Sequence, residues 1–197
     1  MSSELSWIVE GILTTTTPDG SVHLAPMGPR VTTQWDRILL RPFQSSTTFA
    51  NLQRQGQAVF HVSDDVLLLA QAAVGRVTPT PPVVPTQRIR GWRLQDCCRW
   101  YEVEVEDIDS TAARALITAR VVASGRERDF LGLNRAAFAV VELAIQATRL
   151  HLLPRSEIQA DLERWQMLVA KTGSPREQAA LDLLVTHIRQ TWAERGL

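Results

Sequence analysis

Arg41-Pro42-Phe43 closes a short apolar run, and four hydroxyl residues follow almost at once: Ser45, Ser46, Thr47 and Thr48, with Asn51 one turn further on. The spacing predicts a helix over Ser46–Gln55, opened by the hydroxyl residues and stopped by Gly56. A helix start leaves its first backbone N–H groups unpaired and carries the positive end of the helix dipole. A strand-end guanidinium and several hydroxyls beside it make a suitable cradle for a phosphate dianion. The same residues allow a plainer reading, in which Ser45 or Ser46 caps the helix and Arg41 is solvated. Spacing alone leaves both open.

A second stretch, Gly20-Ser21-Val22-His23-Leu24-Ala25-Pro26-Met27-Gly28, places small residues and proline at the end of an extended run, where a flat aromatic ligand can approach the backbone. Other chemistry is sparse. There is no Gly-x-Gly-x-x-Gly, Walker loop or Gly-x-Ser-x-Gly elbow. His23, His61, His151 and His187 have no metal-binding spacing, so no metal site is expected. Asp64-Asp65 reads as a helix cap with favourable charge rather than an acid/base pair. The vicinal Cys97-Cys98 pair reads as buried small residues, since Arg99 is the only neighbouring group that would lower a thiol pKa.

The elements that position these residues are strands in the first half of the chain. Trp7–Thr17 and Ser21–Arg30 form a predicted hairpin about Pro18-Asp19-Gly20. Arg37–Arg41 and Ala58–Val62 are further strands, and Asp64–Ala73 is a short helix. Thr78–Thr86 carries four prolines and reads as a stiff surface loop, although its Pro-x-x-Pro spacings could also dock an SH3-like partner. In Trp100–Asp107, Tyr101, Val103 and Val105 alternate with Glu102, Glu104 and Glu106, predicting a strand with one solvated face. Ala115–Ala123 is its predicted partner.

After Gly132 the period becomes helical. Asn134–Leu150 reads as a buried helix and Glu157–Lys171 as an amphipathic one. A final helix opens on Ser174-Pro175-Arg176-Glu177, a capping box with proline at the first helical position, and buries Ala180, Leu184, Ile188 and Trp192. The expected class is α+β, with a β-rich body over residues 1–130 and a helical cap over 131–197.

The 21 basic and 21 acidic residues balance, leaving no electrostatic footprint for duplex nucleic acid or an anionic membrane. The N-terminus shows no signal-peptide pattern. The longest apolar stretch, near Ala136–Ala147, is too short to span a bilayer. Two cysteines make no disulfide framework, so a reducing cytoplasmic setting is expected.

Taken in order, Ile8-Val9-Glu10-Gly11-Ile12, His23-Leu24-Ala25-Pro26-Met27-Gly28, Arg41-Pro42-Phe43, Ser46-x-Thr48-x-x-Asn51-Leu52 and Asp64-Asp65 resemble the domain-of-unknown-function family 447. Asn134-Arg135-Ala136-Ala137 and Val141-Glu142-x-x-Ile145-x-Ala147-Thr148-Arg149-Leu150 extend the resemblance through the helical segment. It implies a six-stranded antiparallel split β-barrel that binds flavin mononucleotide (FMN) at a homodimer interface. On it, Arg41, Ser46, Thr47 and Thr48 would hold the phosphate, and Asn51 would brace the loop or the ribityl chain. Ala25, Pro26, Met27 and Gly28 would line the isoalloxazine edge, with His23 near the ring. The activity implied is that of a flavin-dependent oxidoreductase or flavin reductase-like protein, with tetrahydromethanopterin-linked one-carbon metabolism as family context. A flavin-storing, sensing or scaffold protein, and a pterin enzyme using the barrel without flavin, are the alternatives. The chain departs from the family at His61-Val62-Ser63, where Asn is common after the strand.

Overall fold

The computed structural model describes residue 5 and residues 7–195. The N-terminal run considered above for a signal peptide lies, apart from Leu5, outside the described residues. The chain divides into two compact units: residues up to Ser63 together with Pro81–Phe130, and Asp64–Thr80 together with the residues from Leu131 onward.

The first unit is built on one antiparallel sheet. Its strands are β1 (Trp7–Ile8), β2 (Gly11–Thr16), β3 (Val22–Met27), β4 (Arg30–Val31), β5 (Arg37–Leu40), β6 (Gln57–Val62), β9 (Arg99–Asp109) and β10 (Leu116–Arg126), with helix α1 (Thr47–Gln55) between β5 and β6. Two further strands, β7 (Val83–Pro85) and β8 (Trp92–Leu94), form a separate ribbon. The sheet order is β1-β4-β5-β10-β9-β6-β2-β3. The six longer strands make the split barrel, and β1 and β4 add a two-residue pairing at one end. The predicted run Trp7–Thr17 is therefore two strands, broken at Val9-Glu10, where the Val9 N–H turns to Pro29 O at 3.2 Å.

One face of the sheet supplies the core. Leu13, Ile38, Leu40, Phe60, Tyr101, Val103 and Ile117 are almost fully buried there, together with Phe49 and Leu52 of α1. The approach between strands is close enough at one point to require glycine: a Cβ on Gly11 would lie 2.2 Å from His61 O. Trp35, in the turn between β4 and β5, adopts a left-handed φ of 58° and stacks on Tyr101 with ring centroids 4.1 Å apart. A non-glycine residue in that conformation carries backbone strain, which its packing against the core offsets.

The opposite face is less open than alternation predicted. Glu104 and Glu106 pair with Arg120 and Arg37, but Glu102 is 0% exposed. Its Oε1 accepts the Gln87 N–H at 2.6 Å, and its Oε2 accepts those of Arg88 at 2.7 Å and Ile89 at 3.3 Å. The proline-rich segment explains the difference. Its second half is ribbon strand β7 rather than loop, and the chain that continues from it covers this part of the sheet.

The second unit contains helices α2 (Val66–Ala73), α3 (Arg135–Ala147), α4 (Arg155–Thr172) and α5 (Pro175–Arg195). Helix α2 lies in sequence among the strands yet packs with the helices, because Val66, Leu68, Leu69 and Ala70 need an apolar partner. Asp65 caps it by accepting the Leu68 N–H at 3.0 Å. Asn134 caps α3 through the N–H groups of Ala136 and Ala137. At α5 the predicted box forms: Ser174 N–H donates to Glu177 Oε2 at 2.8 Å, and Ser174 Oγ accepts the Arg176 N–H at 3.2 Å. Ala180, Leu184, Ile188 and Trp192 are buried on this helix. Among the described residues, no helix is long and apolar enough to cross a membrane.

Candidate functional site

Helix α1 begins as the hydroxyl run predicted. Ser46 is the N-cap, with extended backbone (φ −87°, ψ 149°). Its Oγ accepts the Phe49 N–H at 3.1 Å and donates to Phe43 O at 2.7 Å. Its hydroxyl is thus already engaged in shaping the turn, which is the capping role that spacing left open. Ser45 and Thr47 are exposed. Among the described residues, the N–H groups of Thr47 and Thr48 make no backbone hydrogen bond, as expected for the first turn of a helix. At the other end Gly56, in the left-handed region (φ 68°), stops the helix and donates to Leu52 O at 2.8 Å.

Thr48 is buried and turns inward, where its Oγ1 lies 3.2 Å from His23 Nε2. His23 is half-buried, and burial pushes its pKa below the usual 6.5, favouring the neutral ring. Asn51 is also buried, and its Nδ2 donates to Thr15 Oγ1 at 3.0 Å, fastening α1 to β2. Arg41 directly follows β5 and is exposed; its carbonyl accepts from Arg114 at 3.2 Å. The helix start and β3 are therefore joined through Thr48 and His23, while Arg41, Ser45 and Thr47 are exposed.

Strand β3 is an outer strand of the sheet and, among the described residues, pairs with β2 alone. All its residues are half-buried. Ala25 lies opposite Leu13 and Met27 opposite Gly11, so both share the core face with His23. Pro26 lies opposite Ile12 and points to the other face. The four residues expected to line a flat ligand thus present a strand edge, with side chains alternating to either side. A Cβ on Gly28 would meet the Glu10 carboxylate at 2.6 Å, so Glu10 lies against this end of the strand, a neighbour that sequence reading did not single out.

His61 is fully buried. Its Nδ1 donates to Ile12 O at 3.1 Å and its Nε2 accepts the Leu94 N–H at 3.0 Å, which together define a neutral ring. Burial pushes its pKa down to about 4. It ties β6, β2 and β8 together and does not face the helix start. Val59, its neighbour on the same face of β6, is buried as well. Cys97 and Cys98 are buried thiols outside any disulfide, and burial pushes Cys97 up to about 12.

The model of the protein family of unknown function DUF447 matches this chain in both its parts, the N-terminal domain over residues 9–128 and the C-terminal domain over 134–186. Among solved structures, an FMN-bound protein of that family from Methanosarcina mazei superposes with a TM-score of 0.79 at 21% identity, covering 92% of this chain and 95% of the other. The styrene monooxygenase flavin reductase of Pseudomonas putida S12 has a TM-score of 0.53 at 22% identity, over 64% of this chain and 84% of its own. An FMN-binding protein from Thermus thermophilus has a TM-score of 0.52 at 12% identity, over 64% and 75%. No curated protein matches the chain.

Proposed function

From the premise that this chain belongs to the DUF447 family, we propose that it is an FMN-binding protein of the flavin reductase-like kind, with the phosphate at the start of α1. The observation that carries this reading is the donor set there. Two backbone N–H groups without a hydrogen bond among the described residues and the exposed hydroxyls of Ser45 and Thr47 suit a phosphate monoester, and the exposed Arg41 at the end of β5 would bring a guanidinium to it. Ser46 contributes by fixing the turn rather than through its own hydroxyl.

The edge of β3 at Ala25, Pro26, Met27 and Gly28 is where the flat ring would lie, since a strand edge offers backbone N–H and C=O groups to a heterocycle's polar rim. Bound flavin would supply the electron transfer; the chain's part is to orient it and keep water from it. His23, neutral and turned to Thr48, would hold the first turn of α1 in place beside the ligand. Two copies would pair with the ligand between them, as the family resemblance implies. The reaction on this reading is an oxidoreduction.

The test is the visible spectrum of the purified protein and its titration with FMN. A flavin spectrum, or saturable uptake of FMN, is expected. A colourless protein that takes up none overturns the reading. Stopped-flow mixing of the loaded protein with NADH, NADPH and a reduced deazaflavin then separates a reductase, which is reduced rapidly by one of them, from a flavin store, which is not.

A further inference from the structure

At the opposite end of α1 from the phosphate cradle, a cleft of about 850 Å3 opens between the β2–β3 turn, the last turn of the helix and the chain from Pro85 to Trp92. The helix rise of about 1.5 Å per residue puts Arg54, in this cleft, about 10 Å along the axis from Thr47. The size falls in the range of small-molecule sites.

Charge among the cleft's lining residues is of one sign, since Glu104, whose Oε1 accepts from Gln57 Nε2 at 3.3 Å, is not part of the lining and pairs with Arg120. Arg54 and Arg90 line the cleft with the hydroxyl residues Thr16 and Thr17, the glutamines Gln55 and Gln57 and the indole of Trp92, and no carboxylate residue contributes to the lining. The nearest acid in sequence, Asp19, is taken up within its own turn by the hydroxyls of Thr17 and Ser21. Glu102 lies behind the opposite wall and spends both oxygens on the N–H groups of Gln87, Arg88 and Ile89.

The walls are also fastened to one another. Trp92 Nε1 donates to Gly20 O at 2.9 Å, and the Arg90 N–H donates to Gln57 Oε1 at 3.0 Å. Arg54 donates to Thr16 O, Gln55 to Arg90 O, and Thr14 Oγ1 to Trp92 O at 2.7 Å. A cleft held by cross-element hydrogen bonds loses little freedom when a ligand enters. The Arg54 guanidinium held at Thr16 O and the Trp92 indole held at Gly20 O, with Arg90 a further cationic residue of the lining, suit an oxyanion carried on a flat ring.

We propose that this cleft is a second ligand site, separate from the phosphate cradle, for a small aromatic or heterocyclic molecule bearing a phosphate or carboxylate. It rests on the cleft alone and stands whether or not the chain binds flavin.

The full-length protein, saturated with FMN, is titrated with phenyl phosphate, inorganic phosphate and phenol, following the Trp92 indole N–H and the amides of Gly20 and Gly91 by NMR. Phenyl phosphate is expected to move these signals saturably, inorganic phosphate to move the same signals more weakly, and phenol to leave them in place. The doubly substituted R54Q/R90Q protein is expected to bind phenyl phosphate at least tenfold more weakly with FMN affinity unchanged. The R54K/R90K protein, which keeps both charges, should remain within a few-fold of the parent. Should the glutamine variant fail to fold, the parent's affinity must still fall as salt is raised. Equal response to phenol and phenyl phosphate, no saturable shift at all, or full affinity in R54Q/R90Q would each overturn the proposal. So would loss of the response on adding FMN to the free protein, because the two sites would then be one.

Discussion

His61 and Leu94 are joined across two layers: the imidazole Nε2 accepts the Leu94 backbone N–H at 3.0 Å while Nδ1–H holds Ile12 O. A protonated ring could not accept at Nε2, so the folded state holds His61 neutral, its pKa lowered from 6.5 to about 4. In the unfolded chain the same ring takes up a proton near pH 6.5. The unfolded state therefore binds more protons between those values, and stability falls as pH drops from about 6.5 to about 4. The contribution of this fully buried group is up to about 3 kcal/mol. Urea unfolding at stepped pH should show that slope, with a shallower one in His61→Gln. An identical slope in both proteins would place the acid sensitivity elsewhere.

Glu102→Gln removes one acceptor oxygen and turns an NH2 group toward backbone donors that have no other partner. A loss of about 2–3 kcal/mol is expected, in line with buried hydrogen bonds to a charged group. Hydrogen exchange should locate it, with the amides of Gln87, Arg88 and Ile89 losing protection before those of β9.

Gly11→Ala forces a methyl group to within 2.2 Å of His61 O, a backbone atom that cannot step aside. The strands must part, at a cost of about 3 kcal/mol or more. Thermal melting reads this directly; a melting temperature unchanged from the parent would mean that β2 and β6 can separate without loss.

Arg41→Ala should weaken FMN binding by about 1.5–3 kcal/mol, the value of a charge-assisted contact, and leave the melting temperature of the ligand-free protein unmoved, because the side chain is exposed. Quenching of flavin fluorescence supplies the affinity. If affinity is unaltered, the phosphate lies elsewhere.

Cys97 is buried and its thiol is raised to about 12, so almost none of it is thiolate at neutral pH. Iodoacetamide should label it only as fast as the native protein opens. Peptide mapping with fragmentation distinguishes it from Cys98, and rapid labelling under native conditions would contradict the burial.

Local signals were read well from sequence because they act over a few residues. Ser46 and Gly56 bound α1, Ser174 and Glu177 open α5, and Asp65 opens α2, each through a bond to its own first or last turn. Glu102 was misplaced for the opposite reason. Alternation along β9 says which face a side chain takes, and only the distant segment Gln87–Ile89 decides whether water reaches that face. Trp35 escaped notice similarly, and Glu10, quoted only within the family resemblance, was given no role, since what gives each its setting is a distant partner, Tyr101 for one and Gly28 for the other. At the candidate site the helix start was legible as a donor set, but the inward turn of Thr48 to His23 depends on how α1 lies on β3, which no local pattern encodes.

Pro26 gives the outer strand of the sheet a property beyond shape. An open strand edge invites a foreign strand, which would extend the sheet by matching it donor for acceptor. Proline has no N–H to offer, so the row of donors along β3 has a fixed gap. The gap limits chain-to-chain polymerisation along this edge. Replacing it with valine would restore an uninterrupted template, and with it a route to aggregation.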